Sequence, residues 1–178
     1  MERATPARRK FPALLAAGAL GVAAIGGALA FGFGGSNDGL SASDAAARTA
    51  AFPSAIALPL VTDAELDDAI DTMALPPQQK VTLKRDVENG NVRLAWLSIW
   101  DDQAEDGDVV RVTSGGFSAV VGLYHAPARI GVPVGSGGLT ITGVQDGNGG
   151  ITAGIHADGG PVLTPVLRPG QSLTVGFK

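Results

Sequence analysis

The chain has no cysteine, only two histidines, two tryptophans and one tyrosine among 178 residues. Without cysteine there is no disulfide framework, no thiolate-ligated zinc and no thiol nucleophile. Basic charge is scarce too: 13 Lys+Arg against 17 Asp+Glu leave a formal charge of −4, without the basic stripe of a nucleic-acid binder. No phosphate loop with Gly-Lys-Ser/Thr occurs, and no Gly-x-Ser-x-Gly elbow. The nearest stretch, Gly135-Ser136-Gly137-Gly138, lies between two predicted strands, whereas an elbow turns from strand to helix. His125 and His156 each stand beside a predicted strand end with no positioned serine for a triad. What is abundant is glycine, at 26 residues. That is about twice its usual share of roughly 7% and implies many turns.

The N-terminus reads as a membrane or export signal. Residues 1–10 carry Arg3, Arg8, Arg9 and Lys10, and no charged residue follows from Phe11 to Ser36. A spanning helix needs roughly 20 apolar residues, which 11–33 supplies. Basic residues before the segment and acidic ones after it orient residues 1–10 to the cytoplasm and the body outside. Ala28-Leu29-Ala30 satisfies the small-x-small rule for cleavage, so a secreted or periplasmic form cut near Ala30 is the alternative. Arg8-Arg9-Lys10-Phe11 resembles the core of a twin-arginine export motif, although Ala7 and Pro12 depart from it. The anchor is preferred because apolar residues continue past the cut.

Residues 34–59 are rich in Gly, Ser and Ala and are expected to form a flexible linker holding the body off the bilayer. Ser43 or Asp44 could cap a helical turn within it. Residues 60–90 then read as a helical pair. Thr62 and Glu65 match a capping box, and Leu66, Ile70, Met73 and Ala74 form one apolar stripe. Pro76-Pro77 ends this helix and opens a second over 77–88, closed by Asn89-Gly90. The first helix is acidic and the second carries Lys80, Lys84 and Arg85, which predicts an antiparallel pair with complementary faces.

From residue 91 to 178, eight β-rich runs recur at intervals of roughly 8–12 residues, each closed by Gly, Pro, Asn or Asp. They are 92–100, 108–114, 117–124, 129–134, 139–144, 151–156, 161–166 and 172–177. The expected fold class is α+β: a transmembrane helix, the helical pair, then a mainly antiparallel β-sandwich, jelly-roll-like or immunoglobulin-like. Both faces of the first strand are largely apolar (Leu94 and Trp96 against Ala95, Leu97 and Ile99), so its second face needs a cover, and the helical pair is the nearest candidate. Trp96 and Trp100 fall on one face of this strand, either as core or as an aromatic platform for a sugar.

The densest polar cluster follows directly. Asp101, Asp102, Glu105, Asp106 and Asp108 lie within eight residues, enough carboxylates for a calcium loop, since Ca²⁺ takes six to eight oxygen ligands. Aligned on Asp102, the helix-loop-helix calcium pattern fails at Ala104 and Thr113. The competing reading is a solvated acidic hairpin, and a hydrolase built on these carboxylates is a third. The loop 146–150 has one carboxylate and reads as a tight turn.

The stretch SIWDDQAEDGDVVRVTSGGF and the later LRPGQSLTVGF resemble small β-sandwich modules of bacterial exported proteins, which carry an Asp-rich EDGD turn before a valine-rich strand. The resemblance implies a sandwich and transfers no functional residue. The sequence as a whole predicts a non-catalytic structural or interaction protein of the bacterial envelope. It would be a single-pass protein of the inner membrane through residues 11–33, with protein partners in the envelope and no nucleic acid. The alternative is an exported module binding carbohydrate or envelope polymer, supported by calcium.

Overall fold

The computed structural model describes residues 40–178. The basic tip, the apolar segment 11–33 and the first part of the 34–59 stretch lie outside the described residues. Among the described residues no helix is long and apolar enough to cross a membrane.

The described chain is α+β. It runs through α1 (Ala42–Ala51), β1 (Ala55–Ile56), a 3-10 turn (Asp63–Glu65), α2 (Leu66–Thr72) and α3 (Pro77–Glu88). Eight longer strands follow: β2 (Arg93–Asp101), β3 (Val109–Ser114), β4 (Phe117–Gly122), β5 (Ala128–Val134), β6 (Leu139–Gln145), β7 (Ala153–Ala157), β8 (Gly160–Leu163) and β9 (Ser172–Phe177). Each of the eight expected strands is found, with ends displaced by at most three residues. The largest displacement is at β8, which stops at Leu163. The buried Thr164 hydroxyl then accepts a hydrogen bond from Ala153 N–H, and the chain rejoins the sheet only through an isolated bridge between Leu167 and Ile151.

Two sheets share one hydrophobic core. The first has the order β1-β9-β6-β3-β4 and the second β5-β2-β7-β8. All pairings are antiparallel except β1 with β9. Period-two alternation sends Leu97 and Ile99 of β2, Val110 and Val112 of β3, Leu139 and Ile141 of β6 and Ile155 of β7 into the interior, all fully buried. Burying each such side chain contributes roughly 1.5–3 kcal/mol, before the entropy of ordering it.

The described part of the stretch expected to be a flexible linker forms a helix and a strand. Ser41 caps α1 by accepting a hydrogen bond from Asp44 N–H. Ile56 and Leu58 enter the core, and β1 adds in parallel to β9 through Ala55↔Gly176 and Ile56↔Phe177. Residues 59–61 then run beside β2: Trp96 N–H donates to the Pro59 carbonyl and Val61 N–H to the Leu94 carbonyl. Small-residue composition suggested a tether; the alternation of Ile56, Leu58 and Leu60 was the strand signal underneath it.

The helical pair matches expectation. Thr62 donates to Glu65 through its backbone N–H (3.2 Å) and its hydroxyl (2.8 Å), the reach-back half of a capping box. Lys80 meets Asp71 and Lys84 meets Asp67, so α3 ascends as α2 descends and the pair is antiparallel. α2 covers the outer face and free edge of the second sheet. The Thr72 hydroxyl accepts a hydrogen bond from Gly131 N–H on β5 at 2.8 Å and donates to the Ala69 carbonyl at 2.7 Å. A Cβ at Gly131 would collide with that carbonyl, so glycine here is what lets helix and strand approach. The edge of β5, open to a wrong partner in a bare sheet, is thereby closed at this point.

Candidate metal centre

The acidic loop joins β2 to β3, and strand alternation decides which of its carboxylates turn inward. Leu97, Ile99 and Asp101 are successive inward positions of β2; Asp108, immediately before β3, continues the inward series of Val110 and Val112. Asp101 and Asp108 are therefore delivered to the end of the core by the same periodicity that buries the aliphatic residues. They are 1% and 2% exposed.

Asp108 pins two backbone segments. Its Oδ1 accepts from Gly147 N–H at 3.0 Å and its Oδ2 from Thr152 N–H at 3.1 Å. The Oδ1 of Asp101 accepts from Gln103 N–H at 2.9 Å and from the Thr152 hydroxyl at 3.3 Å, while its Oδ2 is buried and accepts nothing. Asp106 reaches in from the loop; it is more open than the other two, yet its Oδ1 is buried and unpartnered. One carboxylate oxygen from each of Asp101, Asp106 and Asp108 lies within 4.8 Å of the others. Burial pushes the Asp108 carboxyl up to about 6, and the neighbouring Asp106 and Asp101 charges push the same way against its two backbone hydrogen bonds. Burial also raises Asp101.

Asp106 and Asp108 line a small cavity of ≈ 10 Å³ whose walls also include Gln103, Asn148, Gly149 and Thr152; Asp101 lies beside these two carboxylates without lining it. Such a volume has room for one water-sized occupant and for no organic ligand. The loop 146–150, read from sequence as a plain turn, forms the opposite wall. It fits closely because a Cβ at Gly147 would collide with the Asp106 carbonyl.

The other two carboxylates of the loop turn away. Asp102 takes both guanidinium nitrogens of Arg48 on α1, the Nη1 contact being 3.0 Å, with side-chain exposures of 10% for the arginine and 7% for the aspartate. Glu105 accepts from the backbone N–H of His125 at 2.9 Å, and the His125 ring places its Nε2 3.0 Å from the Gln103 carbonyl. The five-residue candidate set thus divides into a converging trio and two residues that fasten the loop to its neighbours.

The tryptophans also divide. Trp96 is 4% exposed, with Arg129 lying 3.6 Å from its ring centroid and Glu65 holding that guanidinium at 3.2 Å. Hydrogen bonds from Thr62 and then Arg129 hold the Glu65 carboxyl below the usual carboxylate range. Trp96 therefore belongs to the packing between sheet and helices rather than to an exposed platform. Trp100 is half-buried, sits against Gly154 and stacks on His156 at 4.4 Å between centroids with a 42° tilt.

Chemically the trio is a hard, all-oxygen donor set. It contains no histidine, and the chain has no cysteine, so it suits an oxygen-seeking cation rather than zinc. Gly135–Gly138 closes a turn between β5 and β6, not the strand-to-helix bend of a nucleophile elbow. No protein-family model, curated protein or solved structure matches the chain.

Proposed function

We propose that this chain is a membrane-anchored, extracytoplasmic structural or interaction protein of a bacterial envelope, non-catalytic, with residues 11–33 in the inner membrane and the N-terminal tip in the cytoplasm. The observation that carries this reading is the charge-free run from Phe11 to Ser36 directly after Arg8, Arg9 and Lys10. The folded part supports it in a second way: its charged loop groups serve to hold elements together, Asp102 on α1 through Arg48 and Glu105 on the β4–β5 connection through His125. Two antiparallel-rich sheets around one core favour reading the domain as a β-sandwich, a common scaffold for presenting loops to partners.

A second reading, an exported module that binds carbohydrate or envelope polymer, is favoured by the half-exposed Trp100–His156 stack. A flat ring partly open to solvent is the surface on which a sugar face packs.

Crosslinking and co-purification of the full-length protein from its native membrane tests both. A discrete set of protein partners at fixed stoichiometry is the expected result. Retained envelope glycan without protein partners would transfer the assignment to the second reading. Fractionation of the full-length chain away from membranes would overturn the anchor.

A further inference from the structure

We propose that Asp101, Asp106 and Asp108 bind one calcium ion that ties the 101–108 loop to the 146–152 loop. The proposal rests on the cluster itself and stands or falls independently of the membrane assignment.

Three observations converge. The first is geometric: three oxygens no more than 4.8 Å apart share a centre no farther than about 2.8 Å from each, close to the 2.3–2.6 Å of Ca–O bonds. The second is the unsatisfied chemistry. Asp101 Oδ2, on a side chain 1% exposed, and Asp106 Oδ1 are both buried and accept no hydrogen bond. A buried polar atom left unpaired costs about 1–3 kcal/mol, more when charged, so two such oxygens on residues of one carboxylate cluster call for an electropositive partner. The third is the charge balance. Among the described residues the loop's basic partners are spent elsewhere, Arg48 on Asp102 and His125 on Glu105. Among the described residues the three converging carboxylates face no lysine, arginine or histidine ion-pair partner.

The all-oxygen character of the cluster bears on which metal it would hold. The adjoining cavity of ≈ 10 Å³ has room for a single ion, and Gln103, Asn148 and Gly149 stand in its wall. A mixed set of carboxylate, carbonyl and water on loops is calcium chemistry. Mg²⁺ demands near-ideal octahedral geometry at 2.0–2.1 Å and surrenders its waters reluctantly. Two of the three carboxylates are fixed by strand ends and backbone hydrogen bonds and cannot contract around the smaller ion. Occupied, the site would join residues that the fold otherwise links only through the Asp108 and Thr152 hydrogen bonds.

The test uses the full-length protein in detergent, with calcium itself as the probe. Calorimetric titration should give one ion per chain. Calcium at about a hundredfold over its Kd should raise the Tm by roughly 5–10 °C relative to chelator, with magnesium at the same concentration giving less than half that shift. Asp106→Asn is the informative variant, because Asp106 holds no backbone N–H of the neighbouring loop. In chelator it should melt at or above the wild type, one repelling charge having been removed, and it should lose the calcium shift. Equal Tm in calcium and chelator for the wild type, or an undiminished calcium shift in Asp106→Asn, overturns the proposal. Should that variant fail to fold, the stoichiometry on the wild type decides: one ion sustains the site and none removes it.

Discussion

Two acidic regions of this domain have nearly the same composition and opposite physics. On α2, Asp67 and Asp71 are largely in solvent and meet Lys84 at 2.5 Å and Lys80 at 2.8 Å. In the β2–β3 loop, Asp101 and Asp108 are taken out of water and meet other carboxylates instead. Water screens the first pair of contacts, so they position two helices at little gain or loss. Nothing screens the second, and a fold that tolerates such an arrangement has either a cation to place there or protons to share. Acidity in a sequence therefore says little until the backbone has decided which carboxylates leave solvent.

The largest expected effect comes from breaking the link that separates Asp102 from its neighbours. Arg48→Ala strands a carboxylate that is almost fully enclosed, and should cost about 3–5 kcal/mol in urea unfolding. A loss under 1 kcal/mol would place this pair in the same class as the α2 contacts.

The pH dependence sharpens the contrast next. The folded Asp108 pKa of about 6 exceeds the unfolded value of about 3.9. The native state therefore binds the proton that the unfolded state has released, and stability without metal falls as pH rises through this window. In chelator, moving from pH 7 toward 4 should add about 2–3 kcal/mol, with Asp101 acting in the same direction. With calcium the sign reverses, because protons and metal compete for the same oxygens. Urea midpoints at both pH values, with and without calcium, read out the crossing; parallel pH profiles would remove the metal from the account.

A smaller effect is expected from Gly147→Ala. The added methyl meets the Asp106 carbonyl and should cost about 1–3 kcal/mol as the loops part, weakening calcium affinity in the same variant. Smallest of all, Lys80→Ala and Lys84→Ala should each leave the urea midpoint almost unchanged, and added salt should erase any difference. A midpoint shift for either as large as that of Arg48→Ala would collapse the distinction between the two regions.

Much of this architecture was legible because it rests on local signals. Turn residues marked both ends of the eight longer strands, and Pro76-Pro77 with Asn89-Gly90 bounded α3. The doubly apolar pattern of β2 announced that its sheet needs a cover, and α2 packs on that sheet at Gly131 of β5, the residue paired with Trp96. What stayed hidden depends on distant partners. β1 is two residues long and exists only because β9 is there to pair with it, and α1 buries none of its residues and is held by Arg48 reaching a loop 54 positions away. The carboxylate trio was half visible. Alignment to a contiguous calcium loop starting at Asp102 failed because the converging carboxylates are not spaced along one loop. They sit at the end of β2, in the loop and just before β3, and extending the inward series Leu97, Ile99 by one step would have selected Asp101 over Asp102. The opposing wall at Asn148 and Gly149 could come only from the tertiary structure.

The parallel pairing of Ala55–Ile56 with Gly176–Phe177 also sets an order in time. The first strand of the domain can dock only after the ninth has been synthesised, and that ninth strand separates it from β6. Until then the leading segment has no place to go and the edge of β6 stays open. Because the β1–β9 contact spans the described domain, its sequence separation is large and its closure is among the slow, entropically costly steps. Emergence of β9, rather than of any earlier strand, is the event that closes the first sheet.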